Sequence, residues 1–204
     1  RSFLPSKSDD FTLGENLSLG ISVPVFTTYA PSDYEYIIRD CDPTIIIISN
    51  NEQFKKIKSY TSNRKIISFE EIETTSFLIE NIYKENTKDE INKNLKRKSS
   101  ACIIYTSGTS GNPKGVVLSH GGILSNCEGA LNVLRPLIEK KDPIFLTWLP
   151  LSHSYEHTVQ FIQILIGARI FYAESLEKLI ANMGEAKPTI MTAVPRFYQN
   201  LHTK

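Results

Sequence analysis

One stretch constrains this 204-residue chain more than any other: residues 105–115, Tyr-Thr-Ser-Gly-Thr-Ser-Gly-Asn-Pro-Lys-Gly. The apolar run 101–104 before it predicts a buried strand, and 116–118 after it predicts a second strand. Ser119 can then cap a helix that starts near His120. Glycines let the backbone approach a ligand and turn its amides inward, hydroxyls add donors, and the lysine adds a positive charge. Polyphosphate is the ligand that this chemistry favours.

A flexible hairpin loop is the plain alternative for such a stretch. Pro113 argues against it, because the proline stiffens the exit and leaves Lys114 at a fixed place. The stretch is not a Walker A loop, since a proline precedes the lysine and a strand, rather than a helix, follows. The chain also lacks the Gly-x-Ser-x-Gly of a nucleophile elbow.

The stretch resembles the phosphate-binding signature of the AMP-forming adenylating enzymes, which include acyl-CoA synthetases, luciferases and peptide-synthetase adenylation domains. The usual form has threonine where this chain has Ser110, a departure that keeps the hydroxyl. By this resemblance Lys114 would be catalytic, neutralising charge on the departing pyrophosphate, and a magnesium ion would bridge the phosphates. The residues that would cradle the β- and γ-phosphates of ATP are Thr106, Ser107, Gly108, Thr109, Ser110 and Gly111.

A second segment, Trp148–His153, resembles the Leu-Pro-Leu-x-His segment of acyl-CoA synthetases. There the histidine meets the carboxylate of the acyl substrate, so His153 would be the second catalytic residue. Glu156 resembles a glutamate of the long-chain fatty-acid branch, and segments 187–198 and 25–29 also resemble that branch. The resemblance therefore implies an ATP-dependent acid–thiol ligase, a long-chain fatty-acid:CoA ligase that forms an acyl adenylate and then acyl-CoA. ATP, magnesium, coenzyme A and a fatty acid would be its cofactors and partners.

The later motifs of this superfamily contact adenine, ribose and magnesium and supply a lysine from a small C-terminal domain. No stretch up to Lys204 matches them. We therefore expect an N-terminal fragment, without the C-terminal domain, that does not catalyse the reaction alone. A complete non-catalytic nucleotide-binding module is an alternative, and it would need an adenine pocket within these residues.

A rival enzyme class comes from His153, Glu156 and His157, which fit the His-x-x-Glu-His pattern of inverted zinc peptidases. Zinc needs a third protein ligand, and His153 follows a proline-containing loop. Three carboxylates could be that ligand, and the surrounding sequence does not single out one of them: Glu174, Glu177 and Glu185. The adenylating-enzyme resemblance explains the same residues without a metal.

The composition is that of an ordinary globular protein, 41% hydrophobic and 22% charged, with a net charge of +1 that argues against nucleic acid. Cys41, Cys102 and Cys127 match no metal or disulfide spacing and indicate core thiols of a reducing cytoplasm. No apolar run matches a membrane span or a signal peptide, so a cytoplasmic location is expected. A long-chain substrate also allows peripheral association with the inner face of the membrane, although no anchoring amphipathic helix is evident.

Strands and helices alternate along the chain, which predicts an α/β fold with mostly parallel sheets and helices on both faces, part of the large N-terminal domain of an acyl-CoA synthetase-like fold. We expect first βα units over 1–69, a polar linker over 70–100, and the phosphate-loop and acyl-pocket units over 101–204. The first-half elements are strands at 21–26, 44–49 (buried on both faces) and 65–68, a helix with a capping box at Ser32, and a helix over 52–58.

The second half of the sequence also predicts alternating helices and strands. The helix after Ser119 buries one face and ends near Pro136. That face consists of Leu124, Cys127, Leu131 and Leu134. The remaining elements are strands at 144–149, 169–172 and 189–193, helices to Gly167 and over 176–183, and a last helix towards Lys204.

Overall fold

The computed structural model describes residues 20–61, 64–72, 77–78, 95–106, 113–139 and 142–202. Their contacts divide the chain into two compact units. The described residues of 7–95 and 100–118 form the N-terminal unit, and those of 96–99 and 119–204 form the C-terminal unit. Among the described helices, none combines the length and apolarity needed to span a membrane.

The first three strands of the N-terminal unit are parallel. A three-stranded sheet has the order β1-β2-β3, with Ile45 opposite Lys65 and Ile67 opposite Phe77, and β4 pairs separately with β5. The elements are α1 (Pro31–Cys41), β1 (Ile45–Ile48), α2 (Asn51–Ile57), a 3-10 turn (Lys58–Tyr60), β2 (Lys65–Ser68), β3 (Phe77–Leu78), β4 (Ser100–Thr106) and β5 (Lys114–Ser119). The predicted α/β alternation with parallel pairing is confirmed.

The C-terminal unit repeats this alternation. Strand β6 pairs in parallel with β7, and Phe145 also forms a parallel bridge to Ile190. The elements are α3 (His120–Ile138), β6 (Ile144–Thr147), α4 (Ser154–Leu165), β7 (Arg169–Tyr172), α5 (Leu179–Ala186) and α6 (Pro195–His202). The strand predicted over 189–193 is wrong in extent, because among these residues only Ile190 makes a bridge.

The core of the N-terminal unit lies between α1, β1, α2 and β2. Its buried residues are Tyr34, Ile38, Ile48, Ile57 and Ile66. Helix α1 contributes Tyr34 and Ile38 to this core. The predicted burial of β1 on both faces is wrong, since only Ile48 of that strand is buried and Ile45 is 45% exposed.

The start of α1 differs from the predicted capping box at Ser32. The helix begins at Pro31, a position where proline fits because the first turn needs no backbone donor there. Asp33 Oδ2 accepts the N–H of Ala30 at 3.1 Å, so the helix is capped from Ala30, two residues earlier than expected. The cap predicted for the later helix α3 is confirmed, because Ser119 Oγ accepts the N–H of Gly122 at 3.1 Å.

Two other elements also differ from the prediction. The strand predicted over 21–26 is a single bridge, in which Ser22 N donates to Ala101 O at 3.2 Å. Helix α3 continues through Pro136, which lies on an exposed surface where water can reach the carbonyl that proline leaves without a donor. On its predicted face, Cys127 is buried and Leu131 and Leu134 are half-buried, but Leu124 is 41% exposed and Ile123 is buried instead.

Two further differences concern helix α5 and strand β3. Helix α5 begins at Leu179 rather than Leu176, and Leu176 is exposed. The short strand β3 lies within the stretch 70–100 for which the sequence predicts a linker, and 79–94 of that stretch lie outside the described residues.

Candidate functional site

Strands β4 and β5 carry the two ends of the glycine-rich stretch. Ala101 and Cys102 of β4 are fully buried, while its last residue, Thr106, is exposed. Strand β5 starts earlier than predicted, at Lys114, so the lysine belongs to the strand and its side chain is exposed. The other predicted phosphate-binding residues lie outside the described residues: Ser107, Gly108, Thr109, Ser110 and Gly111.

Thr106 ends β4 and Lys114 begins β5, and a hydrogen bond joins the two residues. Thr106 Oγ1 donates to the backbone carbonyl of Lys114 at 3.5 Å. In the part of the chain that the structure describes, no carboxylate forms an ion pair with the Lys114 ammonium. An exposed hydroxyl and an ammonium of this kind at the two ends of a glycine-rich segment are suited to an anionic ligand.

Tyr105, one residue before Thr106, is buried and makes a contact that the sequence analysis missed. Its hydroxyl donates to Asp40 Oδ2 at 2.6 Å, which joins β4 to the last turn of α1. Burial raises the pKa of the Tyr105 hydroxyl, and the hydrogen bond to Asp40 raises it further, so Tyr105 stays protonated and acts as a donor. The two residues are 65 positions apart, and no local pattern marks them as partners.

His153, in the C-terminal unit, is the N-cap of helix α4 and is exposed. Its Nδ1 accepts the backbone N–H of Tyr155 at 3.2 Å. Because Nδ1 acts as an acceptor, the neutral ring carries its proton on Nε2. The N–H at Nε2 is therefore the group that His153 can present to a ligand.

Two polar contacts connect the segments that carry the long-chain resemblance. Thr192 Oγ1 donates to Glu156 Oε2 at 2.9 Å, and the indole N–H of Trp148 donates to the Thr192 carbonyl at 2.8 Å. The Trp148 ring also lies 5.1 Å from the ring of Phe197, centroid to centroid. Segments 148–156 and 187–198, predicted separately, thus form one arrangement within the C-terminal unit.

The buried face of α4 is largely polar. Gln163 Nε2 donates to Thr147 Oγ1 at 2.9 Å, and Gln160 Nε2 donates to the Tyr172 hydroxyl at 2.7 Å. Each of these glutamines is at most 3% exposed. The contacts hold α4 against β6 and β7, so the helix that begins at His153 has a fixed position relative to these strands.

The geometry gives no support to the zinc-peptidase hypothesis. His153 precedes the helix and uses Nδ1 to cap it. His157 is 1% exposed, and burial lowers its pKa although a hydrogen bond to the Leu151 backbone acts in the opposite direction. Among the described residues, no three His, Cys, Asp or Glu side chains are grouped so that they could hold a metal ion.

The family model for AMP-binding enzymes matches residues 18–204 of this chain. The chain belongs to the AMP-binding enzyme family. One relative, long chain acyl-CoA synthetase 4 of Arabidopsis thaliana, is 31% identical in an alignment 201 residues long, which covers 89% of this chain and 30% of that protein. Another, the long-chain-fatty-acid–CoA ligase ACSBG2 of Mus musculus, is 29% identical in a gapped alignment 217 residues long, which covers 93% of this chain and 31% of the relative.

Solved structures of the family show the same fold. Apo MatB from Rhodopseudomonas palustris matches with a TM-score of 0.75 and 20% identity, covering 95% of this chain and 38% of MatB. O-succinylbenzoate coenzyme A synthetase (MenE) from Bacillus subtilis, solved with ATP and a magnesium ion, matches with a TM-score of 0.67 and 18% identity, covering 87% of this chain and 44% of MenE. The predicted α/β fold of an adenylating enzyme is thereby confirmed. The AMP-binding chain described here spans less than a third of the length of the two curated relatives.

Proposed function

We propose that this protein is an ATP-dependent ligase that activates a long-chain fatty acid as an acyl adenylate and transfers it to coenzyme A. The observation that carries the proposal is the pairing of β4 and β5, which places exposed Thr106 and Lys114 at the two ends of the signature. Membership of the AMP-binding family supports the adenylation chemistry. The long-chain relatives, and the contacts among Trp148, Glu156 and Thr192, support the choice of substrate class.

The signature would bind the phosphates of ATP. Hydroxyls and backbone amides of 106–111 would donate to the β- and γ-phosphates, and Lys114 would place its ammonium beside the charge that develops on pyrophosphate. Magnesium fits as an ion carried by the phosphates, because Mg²⁺ is usually held by substrate phosphates and water rather than by an all-protein cage. When bound, it would supply charge neutralisation and hold the phosphates in place.

His153 would orient the fatty-acid carboxylate. Its capping bond leaves the proton on Nε2, and that N–H can donate to one carboxylate oxygen. The other oxygen is then free to attack the α-phosphorus of ATP. Because the hydrogen bonds of α4 to β6 and β7 fix the start of the helix, the histidine has little freedom to lose on binding.

The proposed reaction has two displacements. In the first, a carboxylate oxygen forms a bond to the α-phosphorus, and the bond to pyrophosphate breaks. In the second, the thiolate sulfur of coenzyme A bonds to the acyl carbon, and AMP leaves with the carboxyl oxygen. The residues assigned here act in the first displacement by positioning and charge stabilisation.

The test is palmitate-dependent exchange of pyrophosphate into ATP, measured for the 204-residue chain and for the complete product of its reading frame. We expect exchange from the complete product and none from the 204-residue chain. In an active protein, Lys114→Ala should lower the exchange rate by about a hundredfold, the scale of losing one charge-stabilising group. Lys55→Ala, which removes an exposed lysine of α2, is the matched control and should leave the rate unchanged.

Two results would contradict the proposal. One is exchange that does not depend on the fatty acid, and the other is a Lys114→Ala rate equal to that of the Lys55→Ala control. Chain-length preference is then measured with acids from acetate to palmitate. A preference for the short acids would overturn the long-chain assignment and leave the adenylation chemistry intact.

A further inference from the structure

We propose that Tyr105 is a positioning residue for phosphate binding, which holds Thr106 and Lys114 in place by tying both to helix α1. The inference rests on the proposed function, because Thr106 and Lys114 matter only if this stretch binds phosphates. The whole arrangement lies within the N-terminal unit.

The first link runs from β4 to α1. Tyr105 directly precedes Thr106, its side chain is 4% exposed, and its hydroxyl donates to Asp40 Oδ2 at 2.6 Å. A distance this short is typical of a charge-assisted bond to a carboxylate, which is stronger than a bond between neutral groups. The bond therefore fixes the end of β4 at the point where the signature begins.

The second link runs from the same ring to β5. A Cβ atom added to Gly115 would lie 3.1 Å from Tyr105 Cζ and 3.0 Å from Ile103 Cγ2. The Tyr105 ring thus packs directly on the backbone of Gly115, the residue that follows Lys114. Only glycine allows this approach without a shift of the ring, so one side chain is in contact with both ends of the signature.

Helix α1 provides a firm support for these links. Its residues Tyr34, Ile37 and Ile38 are buried, and the Tyr34 hydroxyl donates to the Phe26 carbonyl at 2.8 Å. Asp40 lies on the same helix, one residue before the half-buried Cys41. A carboxylate on an anchored helix can hold a strand end more rigidly than one on a loop.

The hydroxyl is the part of Tyr105 that separates positioning from packing. Phenylalanine would fill the same buried space and would keep the contact with Gly115. Its ring cannot form the hydrogen bond to Asp40, so the end of β4 would lose this bond to α1. A Tyr105→Phe variant therefore removes the proposed role while it keeps the core filled.

The experiment measures binding of magnesium tripolyphosphate to the 204-residue chain by calorimetry, well below the unfolding midpoint of each variant. Tyr105→Phe and Asp40→Ala should each raise Kd about fivefold, the effect of one lost hydrogen bond. The double variant should bind no more weakly than either single variant, because both remove the same bond. Asp40→Asn, which keeps an acceptor oxygen, should bind nearly as well as the unmodified chain.

Two controls separate this inference from the proposed function. Tyr198→Phe removes the hydroxyl of an exposed tyrosine and should leave Kd unchanged. Lys114→Ala tests the phosphate site itself: if it binds as well as the unmodified chain, or if the unmodified chain does not bind, both proposals fail. If Lys114→Ala weakens binding while Tyr105→Phe does not, the positioning role is wrong and the phosphate site stands. Should Tyr105→Phe not fold, equal binding by Asp40→Ala and Asp40→Asn would overturn the role.

Discussion

Thr192 donates a hydrogen bond of 2.9 Å to Glu156, a carboxylate with no exposed surface. Glu156 lies in the first turn of α4, and Thr192 lies in the segment between α5 and α6. The carbonyl of the same threonine accepts the indole N–H of Trp148 at 2.8 Å. One residue therefore holds both the end of β6 and the start of α4, close to the histidine proposed to bind the substrate carboxylate.

Replacing Thr192 by valine should lower the free energy of unfolding by about 1.5–3 kcal/mol, because a buried carboxylate loses a donor that valine cannot replace. Thr192→Ser, which keeps the hydroxyl, should lose much less. Urea unfolding followed by circular dichroism measures the difference. Thr158→Val is the matched control, because among the described residues the Thr158 hydroxyl bonds only the Ser154 carbonyl of its own helix. Equal losses in Thr192→Val and Thr158→Val would contradict the role of the Thr192 hydroxyl.

The buried His157 should make stability depend on pH. Burial lowers the pKa of His157 below its ordinary value of 6.5, so the unfolded chain binds more protons than the folded chain below that pH. The folded state should therefore lose stability as the pH falls from about 6.5, by at most about 1.4 kcal/mol per pH unit. His157→Gln should flatten this part of the profile.

Urea unfolding at several pH values between 5.5 and 7.5 measures the effect of His157. His153→Gln is the matched control, because it removes an exposed histidine from the same segment. The prediction concerns the difference between the pH profiles of the two variants. The contributions of carboxylates that titrate in both variants therefore cancel. If the His157→Gln profile is as steep as the His153→Gln profile, burial of His157 is not the cause.

Two glycines of α3 should respond to alanine with opposite signs. A Cβ atom at Gly129 meets no atom within 4 Å, so Gly129→Ala should raise the free energy of unfolding by about 0.5–1 kcal/mol through helix propensity. A Cβ atom at Gly121 would lie 2.8 Å from the Arg97 carbonyl oxygen, so Gly121→Ala should lower it. Thermal and urea unfolding of both variants measure the signs. A stabilising Gly121→Ala would mean that the Arg97 backbone can move away at little cost.

The three cysteines should differ in reactivity. Burial raises the pKa of the Cys102 thiol to about 11 and also raises that of Cys127, and both side chains are almost fully buried. At pH 8 a thiol reagent should label these two only after denaturation, because it needs an accessible thiolate. The half-buried Cys41 should react first in the native chain, and Cys41→Ser should remove that phase. Native labelling of more than one thiol per chain would contradict this assignment.

Local sequence signals predicted correctly those elements whose position depends on residues nearby in the chain. Strands Lys65–Ser68 and Arg169–Tyr172 match the prediction at both ends, and the cap at Ser119 is confirmed. The glycine-rich signature likewise identified the family, because the order of its residues is specific. Each of these signals is contained within about a dozen residues.

Burial and pairing depend on distant residues, and there the predictions fell short. The run of isoleucines in β1 is what a doubly covered strand would need, yet Ile45 stays exposed because neighbouring elements determine what is covered. The bond between Asp40 and Tyr105 joins residues 65 positions apart. No periodicity within one element carries that information, so the site's support could not be inferred from the sequence alone.

Val116 and Val117 of β5 are 45% and 58% exposed. Neighbouring residues of a strand point to opposite faces, so both faces of β5 present an apolar side chain to water. In the part of the chain that the structure describes, β5 is hydrogen-bonded only to β4. An uncovered apolar strand of this kind is a template for other chains. A concentrated solution of the purified protein should therefore aggregate and become turbid on storage. Storage at a lower protein concentration in a low-salt buffer should slow this aggregation.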